Sequence, residues 1–123
     1  MSDLRTDQDS IFHTVSAPLT PVRPPHILIA DGNPTSREIR EAQLRSAGFR
    51  VSVARTGFEA IVKASCQTPD VILLDESLSD LLAAETGRLL TTCPVTSHIP
   101  VVCLTRGRRL PHRMLTRLRK AAA

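Results

Sequence analysis

The stretch Asp70-Val71-Ile72-Leu73-Leu74-Asp75 decides the fold. Four apolar residues in a row, Val71 to Leu74, end in a carboxylate. A short apolar run without alternation suits a strand buried on both faces, as in a parallel sheet. Two further runs have the same shape. Ile27-Leu28-Ile29-Ala30 ends in Asp31, and Val101-Val102-Cys103-Leu104 ends in Thr105. Open parallel sheets bind and react at the carboxyl ends of their strands. Three such strands would gather Asp31, Asp75 and Thr105 along one edge.

The segments between these runs read as helices. Asn33-Pro34 supplies an N-cap and a proline at the first helical position, starting a helix that runs to about Ala47 with Gly48 as its C-terminal cap. Glu41 lies four residues from both Arg37 and Arg45, the pattern of a solvated face. Val51 to Ala54 reads as a second, shorter strand. Thr56-Gly57 opens a second helix whose apolar stripe is Phe58, Ile61, Val62 and Ser65, and Pro69 ends it. Leu82, Thr86, Leu89 and Leu90 mark a third helix, closed by Pro94. Pro100 opens the fourth strand, a position where a sheet tolerates proline. Leu110 to Lys120 reads as a basic amphipathic helix begun by Pro111. The resulting βαβαβαβ order predicts an α/β fold, a doubly wound parallel sheet with helices on both faces.

Composition narrows the function. The 123 residues suffice for one core, and aromatics make up only 2% of them, so that core is aliphatic and no Trp or Tyr is available for base stacking. No apolar run approaches membrane-spanning length, and no secretory signal is visible. Cys66, Cys93 and Cys103 are scattered and form no metal-binding spacing, which suggests buried or half-buried thiols in a reducing, cytoplasmic setting. The net charge of +4 is unevenly placed: residues 106–123 hold seven basic residues and no acidic one. Residues 1–25, polar and punctuated by four prolines, are expected to be a disordered leader. Residues 26–105 are the expected folded domain, and residues 106–123 a basic C-terminal helix or tail. No helix-turn-helix pattern supports nucleic-acid reading, so the basic end is read first as a solvated helix.

Four motifs in order resemble the receiver domain of bacterial two-component response regulators. Ile27 to Asp31 resembles its first strand with an acidic end. Ala54-Arg55-Thr56-Gly57-Phe58-Glu59-Ala60 resembles the entry to its second helix. Pro69 to Asp75 resembles its phosphoacceptor strand, and His98 to Thr105 the strand that ends in its switch residue. The resemblance implies a flavodoxin-like fold and a phosphorelay function, with signalling by protein contact. Asp75 would accept a phosphoryl group from a histidine kinase, a phosphotransfer protein or a small phosphodonor. Mg²⁺ would be held by Asp31, Asp75 and the backbone carbonyl of Ser77, offsetting the repulsion between carboxylate and phosphoryl. Thr105 would then bind the phosphoryl group and move its loop, changing the surface a downstream target reads. Any catalysis would be confined to the chain's own phosphorylation and dephosphorylation.

The sequence also departs from the family pattern. Gly32 stands where a second acidic residue is usual, which weakens or removes the Mg²⁺ site. Ser79 and Ala83 replace the usual Pro and Gly after the phosphoacceptor, and Glu76 and Asp80 add nearby charge that could repel a phosphoryl group or help hold a cation. No fifth strand is visible after Thr105, nor the Lys that would close it, so the fold is expected to lack its fifth strand and helix. The fourth strand would then be a bare sheet edge, covered by the basic tail or completed by a partner, including a second copy in a homodimer. An alternative function follows: a degenerate receiver that binds protein without phosphorylation.

Overall fold

A computed structural model describes residues 23–105 and 107–122. Residues 1–22 of the expected leader lie outside the described residues. Four parallel strands form one sheet: β1 (His26–Ala30), β2 (Arg50–Ala54), β3 (Val71–Asp75) and β4 (Val101–Leu104), in the order β2-β1-β3-β4. β1 and β3 occupy the centre and are buried along their whole length, as their unbroken apolar runs require. The described residues also form four helices: α1 (Pro34–Ser46), α2 (Gly57–Gln67), α3 (Ala83–Thr92) and α4 (His112–Ala122).

The sheet splits the core in two. On one face Leu28, Ala30, Ile72 and Leu74 pack against Ala60 and Ala64 of α2 and Leu90 of α3. On the other, Ile27, Ile29, Leu73 and Leu104 pack against Leu44 of α1 and Leu118 of α4. The basic C-terminal segment is therefore not a solvated helix. Its apolar edge lies on the sheet, and the guanidinium of Arg119 sits 5.6 Å from the centroid of the Phe49 ring. Gln43 of α1 fixes the connector that leads to it: its amide donates to Leu110 O at 2.9 Å and accepts from Leu110 N at 2.6 Å. Among the described residues no fifth strand follows β4.

Helix ends follow the sequence signals closely. Asn33 caps α1 by accepting from the amides of Thr35 and Ser36, and Gly48 takes φ +96° just beyond the C-cap Ala47. Thr56 caps α2 by accepting from Glu59 N. The buried faces of α2 and α3 follow the expected stripes only in part, through Ile61, Thr86 and Leu90. Phe58 and Val62 are about 60% exposed, as the residues buried against the sheet and α3 are Gly57, Ala60 and Ala64, with Ile61 packed beside them. A Cβ on Gly57 would meet Thr86 Oγ1 at 2.5 Å and Leu81 O at 2.7 Å, so close approach selects small residues there over large ones. Likewise Thr86 and Leu90 are buried on α3, while Leu82 and Leu89 face outward. The thiols differ from expectation too: Cys66 and Cys103 are exposed and only Cys93 is half-buried, because the first sits on the outer side of α2 and the second on the edge strand.

The two sheet edges are finished differently. Ala54 O and Arg50 N bond inward from β2, so Val51 and Val53 turn their backbone groups outward. Arg45 Nη2 donates to Val51 O at 3.2 Å and Lys63 Nζ to Val53 O at 2.5 Å, which blunts that edge with charged side chains. On β4 the groups of Pro100 and Leu104 bond inward to β3, leaving those of Val101 and Cys103 outward. No described residue caps them.

Candidate functional site

Asp31 and Asp75 lie side by side at the carboxyl ends of β1 and β3, where the strand pattern places them. Both are essentially fully buried, and both meet one side chain that the motifs do not single out. Arg40 extends from the second turn of α1 into the gap between them. Its Nη1 donates to Asp31 Oδ2 at 3.1 Å and to Asp75 Oδ1 at 2.5 Å, and its Nη2 donates to Thr105 O at 3.2 Å. Only 2% of Arg40 is exposed. Its Nε has no partner among the described residues.

Local structure explains the convergence. The Asn33 cap and Pro34 set the direction of α1, so Ser36, Arg40 and Leu44, four residues apart, share the face turned to the sheet. Leu44 reaches the apolar middle of the sheet, whereas Arg40 and Ser36 reach the polar strand ends. The remaining oxygens are also occupied. Asp31 Oδ2 accepts from Ser36 Oγ at 2.6 Å, and Asp31 Oδ1 accepts from Asn33 N at 2.9 Å and Ser77 Oγ at 3.1 Å. Asp75 Oδ2 accepts from Ser77 N at 2.8 Å. Burial pushes the Asp75 carboxyl up. Hydrogen bonds from Arg40 and Ser77, with the Arg40 charge, outweigh it and hold the group below the usual carboxylate range.

The other expected residues take more limited places. Ser77 contributes its hydroxyl and amide to the two aspartates, while its carbonyl turns toward Gly32; a Cβ on Gly32 would meet Ser77 O at 3.0 Å. Gly32 N also donates to Ser77 Oγ at 3.0 Å. Thr105 is exposed and takes part through its carbonyl, since its hydroxyl bonds to none of the described residues. Asp80 does not sit by Asp75. It turns away to accept from the amides of Gly57 and Phe58, a second cap on α2, which removes it from any role in the acidic pocket. Arg37, expected on a solvated face, donates to Asp31 O at 3.0 Å. An open depression of about 460 Å³, lined by Asn33, Thr35, Ser77 and Arg108 among others, reaches Asp75 from outside.

Arg40 was not legible as a site residue because it follows Glu38 and precedes Glu41, within a run of alternating charge. The usable signal was the four-residue spacing of Ser36, Arg40 and Leu44, since a helix that buries Leu44 must also turn the other two inward. Among the described residues no group of three or more His, Cys, Asp or Glu could hold a metal ion. No described helix is long and apolar enough to cross a membrane.

Known proteins share this fold. The response regulator receiver domain matches residues 27–122. The chain is 35% identical over 79 residues to the response regulator PleD of Caulobacter vibrioides, covering 64% of this chain and 17% of PleD. It is equally similar to the protein PilH of Pseudomonas aeruginosa, of which it covers 65%. Among solved structures, the N-terminal domain of a response regulator receiver protein from Methanoculleus marisnigri superposes with a TM-score of 0.63 at 26% identity, over 78% of this chain and 77% of that one. A putative response regulator from Chloroflexus aurantiacus shares the fold with a TM-score of 0.72 at 22% identity, over 80% and 98%. With the sheet order, the acidic strand ends and the match across residues 27–122 in agreement, the chain belongs to the response regulator receiver domain family.

Proposed function

We propose that this receiver domain signals through protein contacts, with its aspartate pair held by an internal arginine instead of by Mg²⁺ and phosphoryl transfer. One observation carries this reading: the Arg40 guanidinium lies between Asp31 and Asp75 and bonds to both. A cation bridging two carboxylates is what a divalent ion would otherwise supply. Here the charge comes from the chain itself, and every remaining carboxylate oxygen already has a donor. Gly32 offers no third carboxylate, and Ser77 O is turned toward Gly32. These donors do not fit Mg²⁺ while Arg40 stays in place. The protein would then act on no outside substrate, and its output would lie in what its surface binds in two-component signalling.

A second reading keeps Asp75 as phosphoacceptor for a histidine kinase or phosphotransfer protein. It is favoured by the ionised state of Asp75 and by the open depression that reaches it. Beryllofluoride with Mg²⁺, followed by fluorine NMR, separates the two. The parent chain is expected to give no saturable signal. Saturable binding that disappears in Asp75→Asn would overturn the arginine-held reading and establish the phosphoacceptor.

A further inference from the structure

The outer edge of β4 and the groove beside it have no role in the aspartate site. The contrast with β2 is physical. Two long cations close the outward carbonyls of β2, whereas Val101 and Cys103 on β4 keep both N–H and C=O turned outward with no described partner. An uncapped edge is a template for one more strand.

Directly beside this edge lies a groove of about 340 Å³. Val102 of β4 forms its floor, Met114 and Leu118 of α4 its apolar wall, and Arg113 and Arg117 its rim. A strand added next to β4 would project alternate side chains onto this face of the sheet. On that face the groove would receive apolar side chains, and the two guanidinium groups would meet acidic ones two residues further along the strand. Residues 106–123 carry no acidic side chain, so the segment holds no carboxylate of its own to neutralise the rim.

From these features we infer that β4 and α4 form a docking surface for an extended acidic segment of a partner protein, which adds a strand to the sheet. The charge decides between occupants. A second copy would bring its own basic segment against this one, so like charges oppose a symmetric β4–β4 pairing. Nucleic acid would satisfy the charge but has no use for the outward amides of Val101 and Cys103, and no aromatic side chain is present at the groove to stack on a base. An acidic strand satisfies the amides, the groove and the charge together. This surface gives the contact-module reading its partner chemistry, yet it does not depend on the state of Asp75.

The test uses the full chain and a labelled nine-residue peptide, Val-Thr-Glu-Thr-Val-Thr-Glu-Thr-Val, whose valines and glutamates share one strand face, measured without Mg²⁺ or phosphodonor. Its controls are the same peptide with lysine for glutamate and a twenty-nucleotide single-stranded DNA. Fluorescence anisotropy is expected to show binding of the acidic peptide, at least tenfold weaker binding of the lysine peptide, and weakening with salt. Amide hydrogen exchange is expected to slow at Val101 and Cys103 when the acidic peptide binds. Cys103→Pro removes an outward N–H without touching the ladder to β3, and should cost at least tenfold in affinity. If that variant fails to fold, Arg113→Glu with Arg117→Glu should reverse the preference between the two peptides. Absence of binding, or binding without protection of those amides, would overturn the inference. So would tighter binding of the DNA, or protection of the amides without peptide, whether that protection rises with protein concentration or not. None of these results bears on beryllofluoride binding at Asp75, so the two readings fail separately.

Discussion

Replacing Arg40 with methionine keeps most of the side-chain bulk and removes the charge, and its consequence can be worked out from the contacts. Two carboxylates, both essentially fully buried, lose their shared cation. Asp31 keeps Asn33 N, Ser36 Oγ and Ser77 Oγ, whereas Asp75 keeps only the Ser77 donors, so the burden falls on Asp75. Removing one partner of a buried ion pair typically costs about 3–5 kcal/mol. With a urea slope of about 2 kcal/mol per molar, the unfolding midpoint at pH 7 should fall by roughly 2 M. Acid should narrow the gap, through the variant already at pH 4 and through the parent only below pH 3.8. In the parent the folded Asp75 pKa is depressed, so its contribution is complete above the ordinary value of 3.8 and is lost as pH falls through the folded pKa. In Arg40→Met the carboxylates repel, protonation relieves them, and stability rises on acidification. The variant should also gain a need for a cation. If Mg²⁺ binds it with a dissociation constant of about 1 mM, 10 mM Mg²⁺ would add about 1.4 kcal/mol, with no gain in the parent. Urea melts at pH 7 and pH 4, each with and without Mg²⁺, provide the assay. A loss under about 1 kcal/mol at pH 7, or a gap that does not change with pH, would refute the claim that Arg40 balances the two aspartates.

Other perturbations probe the scaffold. Asn33→Ala removes the side chain that accepts from the amides of Thr35 and Ser36, and should cost about 1 kcal/mol in chemical denaturation. Gly57→Ala places a Cβ 2.5 Å from Thr86 Oγ1 and 2.7 Å from Leu81 O, so α2 must shift from α3; a loss of about 1–3 kcal/mol is expected, read from the melting temperature. His26 has its pKa lowered by burial and by Arg50, against the opposing pull of Asp70. Its neutral ring, bonded to Ser52 Oγ at 2.7 Å, should therefore stabilise the fold above pH 6.5, and that stability should fall as pH drops from 6.5 toward the folded pKa. His26→Gln should flatten the pH dependence of unfolding in that window.

Much of this architecture is written in short-range signals. Unbroken apolar runs announce β1 and β3 because strands at the centre of a parallel sheet are buried on both faces. Asn33-Pro34 and Thr56-Gly57 announce helix starts because capping is a local event. The packing faces of α2 and α3 were less readable. How closely two helices approach is a tertiary property, and it favoured Gly57, Ala60 and Ala64 over Phe58 and Val62. Asp31 and Asp75 were legible from strand ends alone. Arg40 was not, because its role depends on a neighbouring strand that lies thirty-five residues away in the chain. The path of the last helix was hidden for the same reason: Leu110 is fixed by Gln43, and Leu118 joins a core begun by Ile27.

That last helix also sets an order of events during synthesis. β1, α1, β2, α2 and β3 leave the ribosome long before Leu118, yet the apolar face made by Ile27, Ile29 and Leu73 is finished only when α4 arrives. Contacts between positions as distant as Ala47 and Arg119 raise the loop-closure cost that must be met before they help. A nascent chain that stalls within the connector at Gly107 would carry a sheet with one finished face and one wet one. Such a species is the natural substrate of a holding chaperone. For this domain, the core should close only once α4 has been made.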